Sequence, residues 1–467
     1  MRVRVFGQYV HISMVVLAGV EAALFFAVLL IAYWVRFHTW YPTAAVSARN
    51  TLWPCAAVFS FANLVSLLAL GLYSSRQRAR TTGVFVRLFA AIGAAMLATA
   101  AVFYVIPSLW LGRGVLALAM LFSLIASAIA RAVFSRIVDE SIFKRRVLVY
   151  GVGQRTTAIL SLRRRSDRRG FEIVGFVQPD GETVVVPSER VLAAPRGMLD
   201  LCNRLDVDEV VVAMEDRRRG FPILGLLECR LVGIDITELL TFLERETGRV
   251  RIDVLNPSWM IFGDGFRRDP LRLFSSRTLD LVASLVLLIL SLPFMLITMI
   301  AIKCEDGWRA PVFYGQARVG LGGYPFTVLK FRSMRIDAER DGRAQWAQKS
   351  DPRVTRVGAV IRKLRIDELP QILNVVSGRM SFVGPRPERP QFVAELSQKI
   401  PYYVQRHCVK PGITGWAQLC YPYGSSEQDA LEKLQYDLYY IKNNTLLFDL
   451  AILVQTVEVV FIGKGAR

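Results

Sequence analysis

Long apolar segments dominate the first third of the chain. Four of them, at residues 12–35, 51–72, 88–112 and 114–138, can cross a bilayer, because about 20 helical residues span its hydrocarbon core. The first continues into Tyr33 and Trp34, which are typical of membrane interfaces and not of a signal-peptide cleavage site. The pattern predicts a four-helix transmembrane domain over residues 1–138.

One acidic residue, Glu21, lies inside the first predicted helix. Charged side chains within a membrane are costly and usually face the interior of a helix bundle. Two interpretations of Glu21 stay open at this stage. It is either a functional proton or substrate site, or a carboxylate that is hydrogen-bonded inside the bundle.

Basic residues alternate between poor and rich connecting segments. The rich segments follow the second and fourth apolar helices and contain Arg76, Arg78, Arg80 and Arg87, then Arg131, Arg136, Lys144, Arg145 and Arg146. Because cytoplasmic loops carry the excess of Lys and Arg, this bias places the N-terminus and everything after residue 138 in the cytoplasm.

The middle of the chain changes to short β-rich runs separated by helical stretches, which predicts a Rossmann-like parallel α/β domain over residues 139–265. Its first run ends in Gly151-Val152-Gly153, but Thr156 stands where a dinucleotide fingerprint has its third glycine. An intact nucleotide site, a weak or regulatory one, and a scaffold for assembly all remain possible interpretations.

A fifth apolar stretch, residues 278–302, is long enough to cross the membrane, but both of its flanks are basic. Ser291 and Pro293 stand near its centre, where a proline interrupts helical hydrogen bonding and a serine hydroxyl can bond the freed carbonyl. We expect a re-entrant helix that enters and leaves on the cytoplasmic side, with a kinked full span as the alternative.

Residues 309–424 place many cationic side chains and few carboxylates between glycines and prolines. Arg and Lys bind phosphate oxygens, and Mg²⁺ needs only one or two carboxylates when phosphates complete its shell. Asp367 precedes a helix-forming run, so it is either an ordinary N-cap or a carboxylate nucleophile toward phosphorus beside Glu368. The composition thus favours phosphate chemistry, and the lack of a P-loop argues against nucleoside-triphosphate hydrolysis.

The last 191 residues, from Arg277, resemble the bacterial sugar transferase module of the polyprenyl-phosphate hexose-1-phosphate transferases, the monotopic phosphoglycosyl transferases. The resemblance is carried, in order, by the blocks Gln316-Ala317-Arg318, Lys330 to Met334, Asp367 to Gln371, Met380 to Pro387 and Lys410 to Gln418. It implies a catalytic module over residues 266–467, in a multi-pass protein of the bacterial inner membrane with this module on the cytoplasmic face.

The resemblance further implies a reaction. Asp367 would attack the β-phosphorus of a UDP-hexose and release UMP, and undecaprenyl phosphate would then take the phosphosugar as the first step of exopolysaccharide or capsule assembly. Mg²⁺ would be held with Glu368 and Asp367. The implied substrate-binding residues are Gln316, Arg318, Lys330, Arg332, Arg353, Arg386, Arg406 and Asp437. A homodimer is also implied, and the hexose is left open because Cys420-Tyr421-Pro422 departs from the pattern of relatives.

The net charge of +19 separates into +10 for residues 1–138, +1 for 139–276 and +8 for 277–467. Because the middle domain is nearly neutral and carries no recognition motif, a nucleic-acid binder is excluded. Three His and six scattered Cys give no Ser-His-Asp site, zinc site or disulfide framework. The alternative function is a catalytically inactive, membrane-anchored protein that senses a nucleotide.

Overall fold

The computed structural model describes residues 2–5, 8–38, 52–70, 72–73, 81–109, 111–137, 144–162, 170–193, 197–216, 220–255, 260–261, 269–335, 353–421, 424 and 426–462. The chain divides into two compact units, Met1–Thr247 and Gly248–Arg467. The predicted domain boundaries at residues 138 and 265 lie outside the described residues and stay predictions. Three of the basic residues used above, Arg76, Arg78 and Arg80, also lie outside the described residues.

Four apolar helices form a bundle in the first unit, as the sequence predicts. After a small antiparallel pair, β1 (Arg2–Val5) and β2 (Gln8–His11), come α1 (Ile12–Phe37), α2 (Leu52–Ala69), α3 (Thr81–Val105) and α4 (Arg113–Ile137). Their shared core contains Phe25, Leu29 and Phe59, while apolar side chains such as Phe61 and Leu97 point outward. Helices that are apolar on all sides are typical of membrane spans, so the chain is a membrane protein.

Glu21 is fully buried in this bundle and is hydrogen-bonded on both carboxylate oxygens. Its Oε1 accepts from Ser127 Oγ and from Arg131 Nε at 2.9 Å, and its Oε2 accepts from Tyr73 Oη at 2.6 Å and Arg131 Nη2 at 2.9 Å. Arg131 Nη1 also donates to the Leu72 carbonyl at 3.0 Å. The second interpretation of Glu21 is therefore confirmed.

A five-stranded parallel sheet follows within the same unit. Its strands are β3 (Arg145–Tyr150), β4 (Phe171–Val177), β5 (Val191–Leu192), β6 (Glu209–Val212) and β7 (Asp235–Glu238), in the spatial order β5-β4-β3-β6-β7. The helices between and after them are α5 (Thr157–Leu160), α6 (Met198–Arg204), α7 (Ile223–Leu231) and α8 (Leu239–Thr247). The predicted α/β domain is confirmed. The strand order places β3 at the centre of the sheet, together with the loop that follows it, Gly151-Val152-Gly153-Gln154, which we call the glycine loop.

The second unit is built on α9 (Pro270–Asp306), a 37-residue helix that extends beyond the predicted apolar stretch 278–302 at both ends. Next come the antiparallel strands β8 (Phe313–Val319) and β9 (Pro325–Phe331), then α10 (Arg356–Lys363), a 3-10 turn (Ile366–Glu368) and α11 (Gln371–Val376). The rest comprises β10 (Ser381–Val383), α12 (Pro390–Lys399), β11 (Gly412–Thr414), α13 (Trp416–Cys420), α14 (Glu427–Asn443) and α15 (Leu446–Ile462).

Helical structure in α9 continues through Pro293, so Ser291 and Pro293 do not divide it into two separate helices. Ser291 Oγ lies 3.5 Å from the Leu288 carbonyl and 3.7 Å from Met295 Sδ. The apolar side chains of α9 are mostly exposed, while Met295 and Ile302 pack against Phe331 and Ile361 of the module. The path of α9 through the membrane stays a prediction at this point.

The C-terminal helix α15 packs on the module. Its Asp449 is buried and accepts a hydrogen bond from Tyr440 Oη at 2.9 Å. Its Thr456 hydroxyl lies 2.7 Å from the Thr414 hydroxyl. Polar contacts therefore hold this apolar segment on the module.

Candidate active site

Asp367 and Glu368 lie in the 3-10 turn between α10 and α11. The turn begins after Arg365, whose φ of 60° puts it in the left-handed region that non-glycine residues rarely adopt. Asp367 is buried and only 8% exposed. Pro370 is the N-cap residue of α11, and no side chain makes a capping hydrogen bond there. The interpretation of Asp367 as an ordinary N-cap is therefore wrong. The left-handed residue redirects the chain and places both carboxylates inside the module.

Glu368 connects two cations of the site. Its Oε1 accepts from Lys330 Nζ at 3.0 Å and from Arg386 Nη2 at 3.0 Å, and Arg365 Nη1 lies 3.9 Å away. Burial alone would raise the pKa of Glu368, but the charges of Arg386 and Lys330 hold it well below its usual range. Glu368 is therefore ionised at neutral pH and offsets part of the positive charge around it.

Asp367 has the opposite environment. Burial raises the pKa of its carboxyl, the charge of Glu368 raises it further, and Lys330, Arg362 and Arg365 oppose the rise. Its Oδ1 has no hydrogen-bond partner among the described residues. A buried carboxylate oxygen without a donor is costly unless a ligand meets it, so the pattern is typical of a functional group and not of a structural one.

Arg386 and Arg406 link the dyad to the following helices. Arg386 Nη1 donates to Gln418 Oε1 at 3.0 Å, and the Arg386 carbonyl accepts from Arg406 Nη2 at 3.0 Å. Arg406 is buried, bonds Tyr403 Oη at 2.7 Å and lies 2.9 Å from Asp437 Oδ2. Two of the predicted substrate-binding residues, Arg406 and Asp437, are thus a buried ion pair behind Arg386.

Gln316 and Arg318 form another pair, on strand β8. Gln316 Oε1 accepts from Arg318 Nε at 3.1 Å and Nη2 at 2.7 Å, and Arg318 Nη1 donates to the Pro387 carbonyl at 3.2 Å. Arg318 therefore supports the segment that carries Arg386. The Arg353 carbonyl accepts from Arg335 N at 3.0 Å. A role for the Arg353 side chain in binding substrate stays a prediction.

Arg332 is buried, with 6% of its side chain exposed, and its Nη2 lies 2.5 Å from Asp306 Oδ2. Its Nε and Nη1 have no hydrogen-bond partner among the described residues. His407 is buried beside Arg406, and burial together with that charge lowers its pKa to about 4. His407 is therefore neutral at pH 7, which makes it a poor ligand for phosphate.

The sequence missed Arg362, which donates from Nε to Ser333 Oγ at 3.0 Å and whose charge acts on Asp367. It also missed Tyr403, the partner of Arg406. Arg362 stands five residues before Asp367 on an amphipathic helix, where a cation usually lies on a solvated face. The five-residue separation of Arg362 and Asp367 does not by itself predict that the two residues interact. The left-handed Arg365 between them turns the chain, so that Asp367 comes back toward Arg362.

Asp367 and Glu368 fit the Mg²⁺ that the resemblance implies. Mg²⁺ takes oxygen ligands and is commonly bound by one or two carboxylates together with substrate phosphates. The unpartnered Asp367 Oδ1 is such an oxygen, and Glu368 is adjacent. Within the described ranges no group of three or more His, Cys, Asp or Glu residues could hold a metal. The donor set therefore suits a metal that is completed by a diphosphate.

The glycine loop of the sheet is bonded to the chain's own carboxylates. Val152 N donates to Glu182 Oε2 at 2.7 Å, and Gln154 N donates to Glu215 Oε1 at 2.5 Å. Glu215 N in turn donates to Glu182 Oε1 at 2.8 Å. These are backbone groups that would bind a dinucleotide pyrophosphate. Two carboxylates thus take the place of phosphate, which disfavours an intact nucleotide site.

Comparison with known proteins gives the family of the module that contains Asp367. The family model described as bacterial sugar transferase matches residues 271–463. A UDP-N-acetylgalactosamine-undecaprenyl-phosphate N-acetylgalactosaminephosphotransferase of Aeromonas hydrophila is 43% identical over 242 residues, which are 52% of this chain and 56% of that protein.

Two further relatives extend over more of the chain. A UDP-glucose:undecaprenyl-phosphate glucose-1-phosphate transferase of Xanthomonas campestris pv. campestris is 28% identical over 479 residues, covering 97% of this chain and 94% of its own length. A protein of the same printed name from Klebsiella pneumoniae is 32% identical over 332 residues, 69% of each chain. The chain therefore belongs to the bacterial sugar transferase family, and it is a transferase.

Proposed function

We propose that this protein transfers hexose-1-phosphate from a UDP-hexose to undecaprenyl phosphate, through a covalent phosphosugar intermediate on Asp367. The observation that carries the proposal is the buried Asp367, whose Oδ1 has no partner while the adjacent Glu368 is fixed by Lys330 and Arg386. The names of the relatives support a lipid phosphate acceptor and a nucleotide-sugar donor. Both substrates suit a cationic site next to an apolar helix.

In the first step an Asp367 oxygen attacks the β-phosphorus of the donor. A phosphorus–oxygen bond forms to Asp367, and the bond to the oxygen that bridges the two phosphates breaks, so that UMP leaves with the electron pair. Arg386, held by Glu368 and Gln418, is placed to bind the diphosphate oxygens. When bound, Mg²⁺ would be held by Glu368 and Asp367 and would offset the charge of the departing phosphate.

In the second step an oxygen of undecaprenyl phosphate attacks the same phosphorus. The bond to Asp367 breaks, the carboxylate is restored, and the product is the lipid diphosphate sugar. One diphosphate is consumed and one is formed, so no further energy source is needed. Burial of Asp367 keeps water away from the acyl phosphate between the two steps.

A re-entrant path for α9 is part of the proposal. Arg277, near its start, donates to the Val375 carbonyl at 2.7 Å, and Asp306 at its end lies 2.5 Å from Arg332. A straight helix would separate Arg277 from Asp306 by about 44 Å. Both residues contact one small module instead, which favours a bend at Pro293 and two ends on the same face of the membrane.

The remaining features of the proposal concern location and role. The resemblance implies a bacterial inner membrane, and the basic connecting segments favour a module on its cytoplasmic face. There the enzyme would begin exopolysaccharide or capsule assembly, as a homodimer by resemblance, and would bind no nucleic acid. The second candidate function, an inactive nucleotide-sensing protein, is disfavoured by the carboxylates that fill the glycine loop.

Membranes that contain the protein provide the test. With Mg²⁺ and UDP-glucose, UDP-galactose, UDP-N-acetylglucosamine or UDP-N-acetylgalactosamine, we expect UMP release and a lipid-linked sugar with at least one donor. Asp367→Asn should abolish both, together with any radiolabelled phosphosugar bound to the protein. A labelled adduct that persists in Asp367→Asn would place the nucleophile elsewhere, and no UMP from any donor would contradict the proposed reaction.

A further inference from the structure

The chain leaves the α/β domain through three residues that lie against the catalytic module. Helix α8 ends at Thr247, and Gly248, whose φ is 63°, has the left-handed conformation that commonly ends a helix. Gly248, Arg249 and Val250 belong to the second compact unit of the chain. We call these three residues the strap.

Both ends of the strap are hydrogen-bonded to the module through their backbone. The Gly248 carbonyl accepts from Trp416 Nε1 at 2.8 Å, and Val250 N donates to the Gln435 carbonyl at 3.0 Å. Val250 itself is only 1% exposed. Because an indole N–H that is removed from water needs an acceptor, the Gly248 carbonyl helps to fix where Trp416 lies.

Arg249 adds a charged contact between the strap and α14. Its Nη1 forms an ion pair with Glu432 Oε2, and its guanidinium lies 6.0 Å from the centre of the Tyr436 ring. The side chains of Arg249 and Glu432 are 15% and 21% exposed. A pair that is so largely buried is screened less by salt than a surface pair, so it holds the strap on α14.

The two helices that the strap contacts, α13 and α14, both lead to Arg386. Trp416 begins α13, and Gln418 of the same short helix accepts from Arg386 Nη1 at 3.0 Å. On α14, Asp437 pairs with Arg406, which donates to the Arg386 carbonyl at 3.0 Å. The strap therefore supports the elements that hold both the side chain and the backbone of Arg386.

The residues just before the strap are fixed within the α/β domain. Glu246, in the last turn of α8, is 6% exposed and pairs with Arg145 of β3 and with Arg245 Nε at 3.0 Å. Both arginines also pair with Glu209 of β6, at 2.6 and 2.7 Å. A buried network whose members are paired in this way has few alternative arrangements, so the end of α8 gives the strap a fixed starting point.

We propose that the strap positions Arg386 for the donor diphosphate, so that the chain leaving the α/β domain helps to set the affinity of the enzyme for its nucleotide sugar. This inference rests on the proposed function, in which Arg386 binds the diphosphate. Trp416 and Arg249 are positioning residues, because they act through Gln418 and α14. UMP has left by the time the lipid phosphate reacts, so loss of the strap contacts should weaken donor binding more than acceptor binding.

Two substitutions in the full-length protein, studied in nanodiscs, remove contacts of the strap. Trp416→Phe removes the N–H that bonds the Gly248 carbonyl but keeps an aromatic ring in place of the indole. Arg249→Met removes the ion pair with Glu432 and keeps an unbranched apolar side chain. The KM for the UDP-hexose and the KM for undecaprenyl phosphate are measured in the complete reaction, and thermal unfolding checks that each variant is folded.

Arg251→Met is the matched control. The side chains of Arg249 and Arg251 are both 15% exposed, but Arg251 pairs at 2.6 Å with Asp253, which is its near neighbour in the chain. The loss of Arg251 leaves the contacts of the strap with Trp416 and α14 in place. Arg251→Met should therefore change neither KM.

We expect Trp416→Phe and Arg249→Met each to raise the KM for the UDP-hexose by about threefold to tenfold, the effect of losing one hydrogen bond. The KM for undecaprenyl phosphate should stay within about twofold of the unaltered protein. Gln418→Ala should also raise the donor KM, because it removes a partner of Arg386. Adding Trp416→Phe to Gln418→Ala should raise the donor KM no further, since one residue acts through the other.

Any of three results would overturn the assignment. An unchanged donor KM in both strap variants would mean that the strap does not position Arg386. Equal rises in the two KM values would mean that the whole module is disturbed. Independent, multiplying effects of Trp416→Phe and Gln418→Ala would mean that Trp416 does not act through Gln418.

Failure of the proposed function looks different, because the unaltered protein would then form no lipid-linked sugar with any UDP-hexose. Stabilisation against thermal unfolding by the UDP-hexose would still compare donor binding in the unaltered protein and its variants. Weaker stabilisation in Trp416→Phe and Arg249→Met than in Arg251→Met would support the strap, and equal stabilisation in all three would refute it.

Discussion

Asp367 and Glu368 are neighbours in the chain, but their carboxyl groups are shifted in opposite directions. Burial and the charge of Glu368 raise the pKa of Asp367, whereas Arg386 and Lys330 hold the pKa of Glu368 well below its usual range. Pairs of titratable groups with divergent environments are typical of active sites. Here Glu368 is the fixed anion, and Asp367 is the carboxyl whose pKa lies above its usual range.

We expect Lys330→Met to move the acid limb of the pH profile toward higher pH. Asp367 must be ionised to attack phosphorus, so the rate falls as the pH drops through its pKa. Lys330 favours the ionised form of Asp367 and neutralises part of Glu368, and its removal therefore raises the pKa of Asp367 on both counts. The measurement is kcat/KM for the UDP-hexose from about pH 4, near the usual carboxyl pKa, to about pH 9.

Lys399→Met is the control for this profile. Lys399 is an exposed lysine that pairs with Glu395 at 2.9 Å, away from the dyad. Its removal should leave the acid limb in place. An acid limb that is identical in Lys330→Met and the unaltered protein would show that the ionisation of Asp367 does not control the rate.

Arg406 and Asp437 should act on stability more than on substrate affinity. The two side chains are 7% and 3% exposed and lie 2.9 Å apart. Asp437→Leu leaves a buried guanidinium without its counter-charge, so we expect a loss of about 3–5 kcal/mol in the free energy of unfolding. Arg406→Met combined with Asp437→Leu should recover much of it. Thermal unfolding of the purified protein measures both, and equal losses in the single and double variants would contradict the pairing.

The glycine loop leads us to expect that NAD⁺ does not stabilise the protein. Its backbone N–H groups already bond to Glu182 and Glu215, and a Cβ at Gly153 would lie 2.4 Å from Glu215 Oε1. NAD⁺ at millimolar concentration should therefore leave the unfolding temperature unchanged. Gly153→Ala should lower the unfolding temperature, because the added methyl displaces Glu215. A rise in unfolding temperature with NAD⁺ would show that the carboxylates yield to a dinucleotide.

The sequence predicted the elements better than their connections. Long apolar segments were sufficient to predict the four-helix bundle, and short β-rich runs between helical stretches were sufficient to predict the parallel sheet, because both patterns follow from which surfaces of an element avoid water. The sequence could not reveal that Arg365 is left-handed, and the interpretation of Asp367 as a possible N-cap failed for that reason. Nor could it pair Glu182 with the glycine loop 30 residues earlier, since such contacts depend on the strand order of the sheet.

For the candidate site, too, the sequence predicted the residues better than their partners. The shared blocks identified Asp367, Glu368 and Arg386, and the structure brings these three together. Arg406 and Asp437 are predicted to bind substrate, and the structure joins them to each other behind Arg386, so that their contact with substrate stays a prediction. Their residue types are equally compatible with both roles, and only burial and partners distinguish them.

The network around Glu21 supports the last prediction, which concerns the membrane domain. Arg131→Met removes two of the four hydrogen bonds to Glu21 and leaves a buried carboxylate with Ser127 and Tyr73 as its partners. Because a charge without its counter-ion inside a bundle is strongly unfavourable, we expect a loss of about 3–5 kcal/mol. Glu21→Leu combined with Arg131→Met should be closer to the unaltered protein, since it removes both charges and keeps apolar volume.

Unfolding in detergent, followed by temperature, measures the single and double variants on one scale. Glu21→Gln is the most informative single change, because glutamine keeps the shape of the side chain while Arg131 loses its counter-charge. If the network is structural, all three variants should retain UMP release per folded molecule in the same detergent. Loss of UMP release in Glu21→Gln at full stability would instead give Glu21 a part in the reaction, because the ion pair would then be needed for more than holding α1 against α4.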